Sequence, residues 1–173
     1  GMWGYVNTNG EEIKQLTSGE WEIIEAQLSA DGKYLYILTT EESPLQRTLY
    51  KLDIASGEKT RITPEEGVHK VQLSVSGKYY IDNYSSHNVP RVVKVGSLES
   101  GAEVKELLRA KNPFEKFDMP VVIESGTITA ADGVTPLYYR MTRPVDVDST
   151  QKLPAIVYVY GGPHAQQVTD AFM

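Results

Sequence analysis

Five consecutive residues late in the chain, Tyr160, Gly161, Gly162, Pro163 and His164, gather a phenol and an imidazole around two glycines and a proline at the close of the apolar run AIVYVY. A fixed O–H donor suits acyl-transfer chemistry. Hydrolysis of a peptide by a serine passes through a tetrahedral intermediate whose oxygen becomes an anion, and donors held around that oxygen lower the barrier. The same chemistry needs an activated nucleophile. Of twelve serines, Ser18, Ser56, Ser76, Ser100 and Ser125 each precede a glycine, yet none has a glycine two positions before it, as the G-x-S-x-G elbow requires. By position alone, Tyr160 is equally an aromatic at the end of a strand, like several of the eleven tyrosines.

The remaining polar residues suggest no metal site. His69, His87 and His164 lack metal-ligand spacing. Asp146 and Asp148 in VDVDST offer carboxylates to calcium, but the stretch lacks the glycine and terminal glutamate of an EF-hand and reads as an ordinary polar loop. Neither a metal nor an organic cofactor is expected. The net charge of −6, from 17 Lys and Arg against 23 Asp and Glu, supplies no basic surface for nucleic acid or anionic lipid. No run of 18 apolar residues is present, so no membrane segment is expected in this chain. The absence of cysteine fits cytoplasm or periplasm; the compartment stays open, a periplasmic or secreted one being marginally preferred.

The elements that must position Tyr160 follow from an internal repeat. LSADGKYLYI at 28–37 matches LSVSGKYYID at 73–82, an offset of 45, and RTLYKLDIASGEKTRIT at 47–63 resembles PRVVKVGSLESGAEVKELL at 90–108. YVNTNGEEIKQLT at 5–17 reads as the tail of the same unit. Short alternating strands joined by turns at Asp31-Gly32, Ser56-Gly57 and Ser76-Gly77 have the period of β-propeller blades. An antiparallel sandwich with a chance internal likeness is the alternative. Trp3, Trp21, Tyr34, Tyr36, Tyr79 and Tyr80 are expected to pack between blades, and Tyr84 with the SSHN segment could face a central cavity. About two blades cannot close a ring, so open edges could drive self-association. After Leu108 the pattern changes: RAKNPFEKFDMP reads as a linker, VVIESGTIT and PLYYRMTRP alternate as a hairpin around Asp132-Gly133, and AIVYVY reads as a strand covered on both faces.

A propeller, a hairpin and then LPAIVYVYGGPHAQ resemble the prolyl oligopeptidase superfamily of serine peptidases, and the Tyr-Gly-Gly-Pro run resembles its dipeptidyl peptidase IV branch. His164 is shared with the branch that releases acylated amino acids. The resemblance implies a mainly β chain: residues 1–108 as the last blades of a β-propeller, 109–118 as a linker, and 119–173 as the first strands of an α/β-hydrolase domain. It implies that the Tyr160 O–H is an oxyanion donor, with Gly161 and Gly162 letting the backbone bend tightly and keeping the ring clear, and with Pro163 and His164 completing the turn. The nucleophilic serine, aspartate and histidine would lie outside these residues, so the chain alone is expected to be inactive. The whole protein would be a serine exopeptidase releasing N-terminal Xaa-Pro or Xaa-Ala dipeptides from peptide substrates, and a homodimer. An acylaminoacyl peptidase or oligopeptidase, or a non-catalytic propeller scaffold binding peptides or proteins, are the alternatives. Relatives of this branch hold the substrate amine with paired glutamates. Glu11-Glu12, Glu41-Glu42 and Glu65-Glu66 all lie in or beside turns and read instead as solvated charge.

Overall fold

A computed structural model describes residues 3–6, 9–117, 120–148, 150–162 and 165–173. The chain divides into two compact units, residues 1–110 with 170–173, and residues 111–169. Among the described residues the structure is mainly β, without an α-helix.

In the first unit, β1 (Trp3–Val6) pairs antiparallel with β2 (Glu12–Thr17). Two four-stranded meanders follow: β3 (Ile23–Leu28), β4 (Tyr34–Thr39), β5 (Thr48–Asp53) and β6 (Lys59–Arg61), then β7 (Val68–Leu73), β8 (Tyr79–Ser86), β9 (Val89–Ser97) and β10 (Glu103–Arg109). These are propeller blades, and β3 and β7 start 45 residues apart, the offset of the repeat. The same turn chemistry closes the first hairpin of each. Gly32 N–H donates to Ser29 O while Ser29 Oγ accepts from Tyr34 N–H; Gly77, Ser74 and Tyr79 repeat the arrangement. Gly32 and Gly77 adopt φ of +70° and +67°, a left-handed conformation that a side chain disfavours.

The alternation of each strand sends one set of side chains to each face. Tyr36, Leu38, Leu49 and Ile62 of the first blade pack with Tyr80 and Leu98 of the second, joined by Tyr34, Val71 and Leu73. The opposite face of the first blade, Leu35, Ile37, Tyr50 and Leu52, meets Leu16 and Trp21. Main-chain bonds from Arg47 N to Gly67 O (3.0 Å) and from His69 N to Arg47 O (3.2 Å) stitch the blades together. Tyr34, Tyr36, Tyr80 and Trp21 thus pack as expected. Tyr79 does not: it is 46% exposed, because its neighbour Tyr80 takes the inward direction and successive residues of a strand point oppositely. Tyr84 is buried against His69 instead of facing a cavity. The side chain of Trp3 lies outside the described residues.

In the second unit, a 3₁₀ turn at Pro113–Lys116 is capped by Asn112, whose side chain accepts from Phe114 N–H. β11 (Val121–Thr129) then pairs residue for residue with β12 (Pro136–Pro144). Asp132 accepts from the main-chain N–H groups of Val134 and Thr135 and from the Thr135 hydroxyl. These bonds, the Thr135 hydroxyl first, hold its carboxyl down at about 2. The run at 155–160 differs from expectation. It forms no strand, and Ile156, Val157 and Val159 are between 81% and 101% exposed. A strand covered on both faces draws its hydrogen bonds and its burial from neighbours, and no described segment pairs with this one.

Candidate functional site

The apolar run ends in Tyr160, which is half exposed, and its ring lies against Gly162. A Cβ on Gly162 would run into the Tyr160 hydroxyl and ring, whereas one on Gly161 would meet open space. Gly162 therefore makes room for the phenol. Neither glycine has a positive φ. Pro163 and His164 lie outside the described residues. The result is a phenolic donor held over a bare stretch of main chain and open to solvent, an arrangement suited to donating a hydrogen bond to an incoming oxygen.

A second concentration of chemistry lies inside the first unit, and the spacing of its members in the chain did not reveal it. His69, Asp82 and Lys94 stand on β7, β8 and β9 with exposures of 0%, 0% and 2%, and Glu65 reaches in from the turn before β7. His69 Nδ1 bonds Asp82 Oδ2 at 2.8 Å, and His69 Nε2 bonds the Glu65 carbonyl at 3.0 Å. Lys94 Nζ donates to Glu65 Oε1 and sits 5.1 Å from the centre of the Tyr84 ring, which stacks on His69 at 5.0 Å. Burial alone would raise the Glu65 carboxyl, but the hydrogen bond and charge of Lys94 outweigh it and hold the group below its ordinary value. Burial and the Glu65 charge raise the Tyr84 phenol.

The nearest ligand atoms of Glu65, His69 and Asp82 lie within 4.8 Å of one another, a separation that a metal ion could bridge. The chemistry speaks against one. Lys94 already supplies the positive charge beside Glu65, and both ring nitrogens of His69 face acceptors, which leaves no ring lone pair directed at an ion. The cluster is a buried charge network. Asp82 Oδ1 and Glu65 Oε2 are sealed from solvent and accept no hydrogen bond among the described residues.

This network corrects the reading of Glu65-Glu66 as solvated charge, because Glu65 is committed to Lys94. Glu41 and Glu42 are also engaged, Glu41 with Lys59 and Glu42 with Tyr50 and Arg61. The signal available in the sequence was the alternation of β8 and β9, which puts Asp82 and Lys94 on an otherwise apolar face. Asp148 caps a local turn by accepting from Thr150 N–H, in keeping with a polar loop.

Comparison with known proteins matches residues 4–91 to the family described as the dipeptidyl peptidase IV (DPP IV) N-terminal region. Human dipeptidyl peptidase 8 is 29% identical over 94% of this chain, which spans 19% of that protein. The crystal structure of Porphyromonas gingivalis dipeptidyl peptidase 4 superposes with a TM-score of 0.85 at 28% identity, covering 96% of this chain and 24% of that one. A Bacteroides ovatus protein assigned as a dipeptidyl aminopeptidase IV superposes with a TM-score of 0.81 at 36% identity, covering 99% of this chain and 25% of that one. With its blades, its repeat and the match over 4–91 agreeing, this chain belongs to the dipeptidyl peptidase IV N-terminal region family.

Proposed function

We propose that these residues are a segment of a serine exopeptidase that releases dipeptides from the N-termini of peptides, with proline or alanine in the second position. The observation that carries this reading is the likeness to dipeptidyl peptidases along nearly the whole chain, at up to 36% identity. Residues 1–108 are then the last blades of a β-propeller, 109–118 a linker, and 119–173 the opening strands of an α/β-hydrolase domain, with 170–173 grouping with the blades. The exposed run 155–160 is the kind of segment that gains both faces and both edges once further strands flank it.

In this reading the Tyr160 hydroxyl donates to the oxygen that becomes anionic, and Gly162 leaves room for its ring. The 173 residues contain no G-x-S-x-G, so the nucleophilic serine, the histidine that takes its proton and the aspartate that orients the histidine come from outside them. The substrate amine is also held from outside, since Glu41, Glu42 and Glu65 are engaged with cations of this chain. The propeller restricts access to short or unfolded peptides, and the whole protein pairs as a homodimer through its hydrolase domain. No helix among the described residues is long and apolar enough to cross a membrane.

The test is an assay of the whole protein on Gly-Pro-p-nitroanilide and on its N-acetylated form. Cleavage of the first alone is expected, and Tyr160→Phe should lower kcat by about 10²- to 10³-fold. Equal cleavage of the acetylated substrate would move the assignment to the acylaminoacyl or oligopeptidase branch, and a fully active Tyr160→Phe would remove the phenol from the mechanism.

A further inference from the structure

On the edge of β7 that faces away from β8, a strand pairing starts and stops after one rung. Ser74 N–H donates to Tyr79 O of β8. Main-chain groups alternate in direction along a strand, so residues 68, 70 and 72 also point at β8, while 67, 69, 71 and 73 point away. Arg47 supplies the rung there, parallel to Val68: its N–H donates to Gly67 O at 3.0 Å, and its O accepts from His69 N–H at 3.2 Å. The next rung would fall to Leu49, but Leu49 has turned to its own blade. Its N–H donates to Thr63 Oγ1 at 2.9 Å, and its O accepts from Ile62 N–H at 2.8 Å. His69 O, the N–H and O of Val71 and the N–H of Leu73 are left without a partner among the described residues.

The vacated edge opens into a continuous groove. A cleft of about 290 Å³ lies between Val71 and Leu73 and an apolar wall of Tyr36, Leu38 and Leu49 from the first blade. It shares Glu25, Leu38 and Val71 with a wider cleft of about 760 Å³ that reaches Arg47, Lys70 and Arg91. Two of these cations are partly spent, Arg47 on Pro44 O and Gln46 O, and Arg91 on Asn83 Oδ1. Lys70 is exposed and makes no hydrogen bond or ion pair among the described residues.

We propose that the β7 edge is a docking site for an extended peptide in which acidic side chains alternate with apolar ones. Its main chain completes the rungs that Leu49 withholds. Its apolar side chains face Val71 and Leu73, and its acidic ones, pointing the opposite way, face Lys70 and Arg47. In strand addition the main-chain bonds give affinity and the alternate side chains give specificity. Glu25, which borders the apolar cleft, keeps acidic side chains off that face and so sets the register. The inference goes beyond the peptidase reading and does not rest on it, since the groove involves neither Tyr160 nor a nucleophile.

Fluorescence anisotropy on the whole protein tests it, with a six-residue peptide of alternating Glu and Val, labelled at its amine and amidated at its other end, and with a Lys and Val counterpart. Saturable binding of the acidic peptide is expected, with the basic one weaker by about 10-fold. Lys70→Ala should weaken the acidic peptide by about 2- to 5-fold, the scale of an exposed ion pair, while Lys33→Ala at a turn of the first blade should not. Val71→Pro removes the outward N–H and keeps the pairing with β8, and should weaken binding by about 2- to 10-fold. Should that variant not fold, hydrogen exchange in the wild type reads the same bonds: the Val71 and Leu73 amides should slow when peptide is bound. Absence of saturable binding overturns the inference, as do equal affinity for the two peptides, equal losses in Lys70→Ala and Lys33→Ala, or unchanged exchange at Val71 and Leu73. So does unchanged or tighter binding in Lys70→Ala, which would make Lys70 a guard against chance pairing of the edge. Dipeptidase activity is not the readout, and the blocked amine keeps the probe from serving as a substrate, so a failure here leaves the peptidase reading standing.

Discussion

At the positions where the first blade sets Leu35 across from Leu52 and Ile37 across from Tyr50, the second sets Tyr80 across from Gly96 and Asp82 across from Lys94. All eight residues are buried. The first exchange fills the layer differently: a large ring lies over a bare glycine where the other blade has two medium side chains, and the Tyr80 hydroxyl, carried past Gly96, donates to Gly101 O at 3.1 Å. The second replaces an apolar pair by a charged one, with His69 and Glu65 recruited to complete it. The blade scaffold thus constrains filled space and satisfied polarity at these positions, leaving open which residues meet the requirement.

The largest expected way to break the comparison is Asp82→Ala, which strips His69 Nδ1 of its acceptor inside the buried network; removing one partner of a buried pair costs about 3–5 kcal/mol. Ile37→Val at the equivalent position should cost about 0.5–1.5 kcal/mol. Urea denaturation of both variants decides, and equal losses would mean that the charged layer is not a coupled unit.

Next in size, Gly96→Ala forces a methyl into the Tyr80 ring, and overpacking of this kind costs about 1–3 kcal/mol. Replacing both members by the first blade's residues, Tyr80→Leu with Gly96→Leu, should lose less than the two single changes added together. Strict additivity would show that the two sites do not share one volume.

The smallest effect is on acid sensitivity. Because the folded chain holds the Glu65 carboxyl below its ordinary 4.5, the folded state takes up that proton less readily than the unfolded one; the resulting stability is present above about pH 4.5 and is lost as pH falls below it. Glu65→Gln should flatten that part of a stability-against-pH curve, while Glu58→Gln, at an exposed turn of the other blade, should leave it unchanged. The same slope in Glu65→Gln as in wild type would place the acid sensitivity elsewhere.

Much of the fold was legible in the residues themselves. The 45-residue offset and the glycines at 32, 57, 77 and 133 announced hairpins that the structure contains, since a turn is decided by residues two to five apart. The candidate site was legible as to residue type at Tyr160, but the use of Gly162 as space for the ring, with Gly161 in the open, emerged only from the folded arrangement. Glu65 and His69 looked like a turn acid and an isolated histidine because their partners stand 29 and 13 residues away.

By itself the sequence determined the blade strands and their turns, which follow from local chemistry and a period of two. Tertiary structure alone decided that His69 and Glu65 would join Asp82 and Lys94, that Asp170 would return across 83 and 124 residues to His87 and Gln46, and that residues 155–160 would stand unpaired. The reason is physical: a strand's hydrogen bonds, and the charges that a buried carboxylate needs, come from other segments, and no spacing along the chain encodes which segments those will be.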